Sequence, residues 1–138
     1  MANALYDSFV NSYMTQAANQ VDLDADDIRA ICLDAADYTP NLATDDFLND
    51  IPMAARVAVS GSLTGKTVTG RVFDADDVTF TGVTGDQFEY VALYKHTGVE
   101  STSRLICLFD TATGLALTPS GGDVIARWDN GANKIFRL

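Results

Sequence analysis

Residues 56–81, RVAVSGSLTGKTVTGRVFDADDVTFT, decide the fold class. Three stretches inside them alternate apolar and polar or small residues: Arg56-Val57-Ala58-Val59-Ser60, Val68-Thr69-Gly70-Arg71-Val72 and Val78-Thr79-Phe80-Thr81. Successive side chains of a strand point to opposite faces, so a period of two predicts half-buried β-strands. The pattern continues outward to the C-terminus. Phe88 to Tyr94, Arg104 to Phe109, Asp123 to Trp128 and Lys134 to Leu138 read as strands, the last after an Asp129-Asn130-Gly131 hairpin signal. Gly61, Gly85, Gly98, Gly114, Gly121-Gly122 and Gly131 punctuate them. About eight short strands at this spacing predict an antiparallel β-sandwich or jelly-roll-like domain. Its expected core includes Val57, Val59, Val68, Val72, Phe80, Leu105, Cys107, Phe109, Val124, Ala126 and Trp128.

Upstream of Arg56 the reading changes. Leu5, Tyr6, Phe9, Val10, Tyr13, Met14 and Ala17 fall on one stripe of a 3.6-residue period and predict a helix over residues 3–19, with Asp7, Asn11 and Gln16 opposite. The stripe admits two uses, packing on its own domain or docking on another chain. The second makes Tyr6, Phe9, Val10, Tyr13 and Met14 candidate interface residues. DLDADD at 22–27 is a polar break, and IRAICLDAADY at 28–38 reads as a strand ending in a turn. A short helix is expected over 44–50, with Thr44 as N-cap and Asp45 and Asp46 in its first turn. The expected organisation is an acidic helical arm over 1–27 followed by a sandwich domain over 28–138.

The chain has 138 residues, 47% hydrophobic and 20% charged, enough for one core. No apolar run exceeds five residues, so no membrane-spanning helix is expected. The opening MANALYDSFVNSYM has no basic n-region and does not read as a signal peptide. The net charge is −10, and residues 1–50 carry −9 of it, ten aspartates against Arg29. Such a field repels phosphate backbones, so no direct nucleic-acid contact is expected; a basic protein surface or divalent cations suit that segment better. The 17 aspartates against two glutamates also favour turns over helices. Cys32 and Cys107 lie in the apolar runs AICLD and LICLFD and read as buried thiols, not a disulfide framework.

Several motifs begin a known chemistry and stop. Gly61-Ser-Leu-Thr-Gly65-Lys66-Thr67 is one residue short of a phosphate-binding loop and leads into a strand, not a helix. Asp22-x-Asp24-x-Asp26 opens like a calcium loop, but Asp27 stands where glycine is needed and Leu33 where glutamate is needed. His96 is the single histidine and has no Cys/His metal spacing around it. No catalytic residue, metal ligand or cofactor is assigned, and the expectation is a protein that is not an enzyme.

The segment from Ala43 to Leu138 resembles a known family. The matching strings are Phe47-Leu48-x-Asp50-Ile51-Pro52-x-x-Ala55-Arg56-Val57-Ala58, Leu63-Thr64-Gly65-Lys66-Thr67-Val68 and Ala75-Asp76-Asp77-Val78-Thr79-Phe80-Thr81. Leu93-Tyr94-Lys95-x-Thr97-Gly98, Thr118-Pro119-x-Gly121-Gly122-Asp123-x-Ile125 and Trp128-Asp129-Asn130-Gly131-x-Asn133-Lys134-Ile135-Phe136 complete them. With Leu33-x-x-Ala36-Asp37-Tyr38-Thr39 upstream, the resemblance spans about three quarters of the chain. It is to small tailed-bacteriophage proteins encoded among virion structural genes. It implies a non-enzymatic virion component at the capsid surface, a decoration or cement protein. The implied partners are the major capsid protein or other virion proteins, together with further copies in a homo-oligomer. A tail, neck or baseplate component is the alternative, and a glycan- or receptor-binding module a third reading from another class. The front departs from the family, whose short basic and aromatic start is replaced here by the Tyr6 to Ala17 stripe.

Overall fold

A computed structural model describes residues 3–138. The chain is mainly β, with antiparallel sheets and one helix near the N-terminus, in a sandwich-like arrangement. The strands are β1 (Ala4–Leu5), β2 (Ile28–Leu33), β3 (Arg56–Ser62), β4 (Thr67–Thr69), β5 (Val72–Asp74), β6 (Val78–Phe80), β7 (Tyr90–Lys95), β8 (Leu105–Phe109), β9 (Val124–Ala126) and β10 (Phe136–Arg137), and the helix is α1 (Asp7–Thr15). The large sheet has the order β1-β8-β7-β2-β3, and smaller sheets have the orders β10-β5-β4 and β6-β9.

The centre of the large sheet follows from an unbroken apolar run. Ala30, Ile31, Cys32 and Leu33 of β2 are all fully buried, so this strand is covered on both faces. It pairs with β7 without a slip, from Ile28 opposite Lys95 to Leu33 opposite Tyr90. Leu93 on β7 and Leu105, Ile106 and Leu108 on β8 extend the same core. Phe80 of β6 faces this sheet across a cleft whose other wall includes Cys32, Val91 and Phe109.

Elements shift where backbone chemistry overrides periodicity. Residues 68–72 are two strands, because Gly70 (φ 58°) and Arg71 (φ 70°) form the two-residue turn that joins β4 to β5. The helix is shorter than 3–19. Residues 4–5 are drawn into β1 against Leu108 and Cys107, and Gln16 leaves the helix in the left-handed region at φ 52°. No α-helix forms over 44–50. Asn41 organises the preceding turn, accepting from the Ala43 N–H through its side chain and from the Thr44 and Asp45 N–H groups through its carbonyl. A 3-10 turn at Leu48–Asp50 follows, with the Asp50 carboxylate accepting from the Asp46 and Phe47 amides.

Two further expectations are corrected. Residues 3–27 are not a separate arm: β1 is the edge strand of the large sheet, and Tyr6 and Phe9 are fully buried in the common core. Phe9 meets Phe136 of β10 edge to face at 5.9 Å, and Phe136 in turn meets Phe73 of β5 at 5.5 Å. Val59 and Val68 are not core residues, being 48% and 46% exposed. Val59 lies on an edge strand and Val68 on a three-residue hairpin strand that is exposed throughout. Phe80, Leu105 and Cys107 are buried as expected, and Val57, Val72, Phe109, Val124, Ala126 and Trp128 are half-buried.

Phe9→Ala is expected to cost about 3–5 kcal/mol in chemical denaturation, the range for emptying a buried phenylalanine site. Met14→Ala, at 77% exposure, should stay within about 0.5 kcal/mol of the parent chain. Equal effects of the two substitutions would contradict the integrated helix.

Candidate functional site

The candidate interface stripe divides when folded. Tyr6 and Phe9 cannot meet a partner, since both are at 0% exposure; this corrects their assignment. The cause is hydrogen bonding as well as packing. The Tyr6 hydroxyl lies 3.0 Å from that of Tyr38, which donates at 2.7 Å to the Asp45 carboxylate. Tyr38 thereby leaves Tyr6 as the donor in the first bond. Burial, and for Tyr38 also the neighbouring Tyr6, holds both hydroxyls protonated, well above the ordinary tyrosine range. Val10 and Tyr13 are half-buried, with the Tyr13 hydroxyl donating to the Val21 carbonyl. Of the five, Met14 alone projects openly.

The aspartates of the first third serve the fold's turns. Asp26 accepts from the Asp22 amide at 2.8 Å and pairs with Lys95 at 2.9 Å. Asp27 takes the Arg29 guanidinium at 2.8 Å, and that hydrogen bond holds its carboxyl below the usual carboxylate range. The DLDADD stretch is therefore a closed, partly ion-paired turn. Asp22 is pushed up, first by a hydrogen bond shared with Asp24. A different trio comes together that sequence spacing did not reveal. Oxygens of Asp34, Asp37 and Asp86 lie within 4.8 Å of one another, the buried Asp34 accepting from the Ala36 amide at 2.7 Å. Asp86 comes from a turn some fifty residues away, so no linear motif encodes the grouping. Its donor set suits a hard divalent cation.

The shortened phosphate loop has a structural occupant. Thr64 Oγ1 donates to the Asp76 carboxylate at 2.9 Å, and the Asp76 amide donates to the Thr64 carbonyl at 2.9 Å. A Cβ on Gly65 would sit 2.6 Å from the same carboxylate. Glycine is favoured here by its φ of 63° and by Asp76 packing on the turn, and that carboxylate stands where a phosphate would have to approach. His96 donates its amide to the Asp27 carbonyl and meets the Tyr94 ring edge-on at 6.2 Å. Cys32 and Cys107 are free thiols at 0% and 2% exposure, and burial pushes the Cys32 thiol up to about 12, far from nucleophilic.

An apolar cleft of about 660 Å³ lies between the β6–β9 ribbon and the large sheet. Phe80, Phe88 and Val91 line it, and Phe109 meets Trp128 at 5.9 Å on one wall. The Trp128 indole N–H is already committed to the Asp76 carbonyl at 3.0 Å. Arg127 and Lys134 stand at the cleft with Asp129 as their acidic neighbour. Tyr94 is 2% exposed and Tyr90 half-buried, so these tyrosines and Trp128 do not form a single exposed aromatic platform. No helix is long and apolar enough to cross a membrane among the described residues. The chain matches no protein-family model and no curated protein.

The Asp27–Arg29 pair gives a pH prediction. Asp27 has a depressed carboxyl, so its contribution is complete above the unfolded value near 3.9 and is lost as pH falls through the lower folded value. Asp27→Asn should therefore lower stability at pH 7 by less than about 1 kcal/mol, the pair being partly solvated. The difference should close under strongly acidic conditions. Denaturation midpoints of the two proteins across pH 2–7 check this, and a gap that widens on acidification would reverse the sign.

Proposed function

We propose that this protein is a structural component of a tailed-bacteriophage virion, a decoration or cement protein on the capsid surface that stabilises the shell and catalyses no reaction. What carries the proposal is the resemblance of the segments from Leu33 to Phe136 to small tailed-bacteriophage virion proteins. How the chain spends its reactive groups supports the same reading. Asp76 packs on the Gly65 turn, Asp26 and Asp27 pair with Lys95 and Arg29, and both thiols are buried. Exposed apolar residues, by contrast, recur on separate elements: Met14 on the helix, Met53 on a 3-10 turn, Val99 on a loop and Ile125 on β9. Dispersed apolar contacts suit a protein held on a repeating lattice, where many weak contacts add through avidity.

A cement protein acts by linkage. It binds the assembled lattice better than loose subunits, worth about 2.7 kcal/mol per site at a hundredfold excess over Kd. The acidic first third favours basic or neutral ground on that lattice, and attachment through it weakens with salt as exposed pairs are screened beyond ~10 Å at 0.1 M. A tail, neck or baseplate position is the second reading, carried by the same resemblance.

Purified particles test the proposal. Quantitative mass spectrometry should find hundreds of copies per particle, and stripped particles should release their genome at lower temperature until the protein is restored. Six copies, or a small multiple of three at one vertex, would move the protein to the tail. Unchanged thermal release after stripping would rule out cementing.

A further inference from the structure

We propose that the apolar cleft is a strand-docking site for an extended, acidic-apolar segment of another protein, which pairs with the free edge of β9. The inference stands on the cleft's geometry and does not require the virion reading.

Edge-on geometry is the first support. Val124, Ile125, Ala126, Arg127 and Trp128 are consecutive, and all line the cleft. A strand that presented only a face would contribute alternate residues, so this stretch meets the cavity along its edge. Within its sheet β9 pairs with β6 alone, and among the described residues no other backbone bonds to Val124–Ala126. An unpaired strand edge is a template for another chain.

β6, the other edge of the ribbon, runs alongside β3, and the remaining edges are blunted. β1 is two residues long, and β10 is equally short and contains Arg137. In β3, Ser62 and Val59 face Arg29 and Ile31, while Ala58 and Arg56 face Cys32 and Leu33, so two extra residues bulge it away from regular pairing. The exposed Thr-Val-Thr of β4 is flanked by Lys66 and Arg71. Val124-Ile125-Ala126 has neither charge, proline nor bulge within it, its flanking Asp123 and Arg127 are opposite in sign where β4 is flanked by two cations, and Ile125 is 48% exposed.

Charge then chooses the occupant. On a chain of net charge −10, this cleft carries two cations against Asp129. Arg127 is 72% exposed, with Asp77 no closer than 3.9 Å, and Lys134 has no ion pair among the described residues. A segment that places apolar side chains on the Phe109–Trp128 wall and carboxylates beside Arg127 and Lys134 satisfies both features. A second copy fits poorly. The chain's own acidic stretches are folded into turns, as at Asp22–Asp26 and Asp45–Asp50, and among the described residues its edge strands carry no acid.

The test selects a random heptapeptide library on the full-length chain, then maps the enriched peptides by hydrogen exchange. Alternating apolar and Asp/Glu residues are expected, with the amides of 124–126 that point away from β6 newly protected on binding. Affinity should fall at least about tenfold in the Arg127→Glu/Lys134→Glu double variant, the loss expected when a charge-assisted contact turns repulsive. Should that variant unfold, Arg127→Gln is used, and a weaker affinity and a shallower salt dependence than the parent's are expected. No enrichment, a basic consensus, protection confined to other strands, or undiminished binding by the folded variants would each overturn the proposal. So would self-association that protects the same amides without peptide, since it makes a second copy the occupant.

Discussion

The fold depends on one buried guanidinium. Arg104 is 6% exposed and donates to three carbonyls, Ser8 at 3.2 Å, Ala18 at 3.2 Å and Asn19 at 3.0 Å, while its charge lies 4.6 Å above the Phe47 ring. Those groups belong to the start of the helix, the segment beyond its end and the loop before the 3-10 turn. Burial pulls the guanidinium below its ordinary range, with the Asp46 charge opposing. Removing a cation from water is costly unless its donors are satisfied, so the three carbonyls must be in place for Arg104 to remain inside. The same residue anchors the sheet through its backbone, its carbonyl accepting from Lys95 at 2.9 Å. Helix, loop and sheet therefore assemble around a shared polar requirement, and the Tyr6–Tyr38–Asp45 chain ties the start of the helix to the same loop.

That junction explains which parts of the architecture are legible in sequence. β2, β7 and β8 are, because IRAICL, YVALYK and LICLF are strongly apolar runs that few alternatives could accommodate. The antiparallel, mainly β class follows from them and from the glycine punctuation. The location of the helix is legible too, but its use is not. An aromatic stripe looks the same in sequence whether it covers its own sheet or another chain. Burial of Phe9 is settled by Phe136 and that of Tyr6 by Tyr38, partners 127 and 32 residues away. The β4–β5 turn was hidden differently, since Gly70-Arg71 interrupts an otherwise regular alternation and requires positive φ at an arginine.

The candidate site was less legible still. Periodicity assigns a residue to a face but says nothing about a strand's edge, and the cleft is defined by an edge. Phe80, Phe109 and Trp128 were expected in the core, and they pack where the ribbon and the large sheet stop short of full contact. The half-burial of Phe109 and Trp128 is the part that sequence could not supply. The Asp34, Asp37 and Asp86 grouping likewise depends on a turn brought in from another region.

Charge asymmetry has a cause within the fold, and this bears on how it acts outside. Aspartate is the shortest carboxylate, able to reach a backbone amide two to four residues away without ordering a long side chain. Asp26, Asp34, Asp45 and Asp50 each do this. Their negative charge accompanies turn formation and does not by itself mark a binding site. It still creates a field, because neutralising partners are few: Lys95 and Arg29 answer Asp26 and Asp27, leaving most of the first third unbalanced. The Arg127 and Lys134 cleft lies at the other end of the sequence, where the charge nearly balances. A partner that meets both regions must itself be bipolar, basic where it faces the turns and acidic where it enters the cleft. Such a partner is held in one orientation, since reversing it would set like charges against each other in both places.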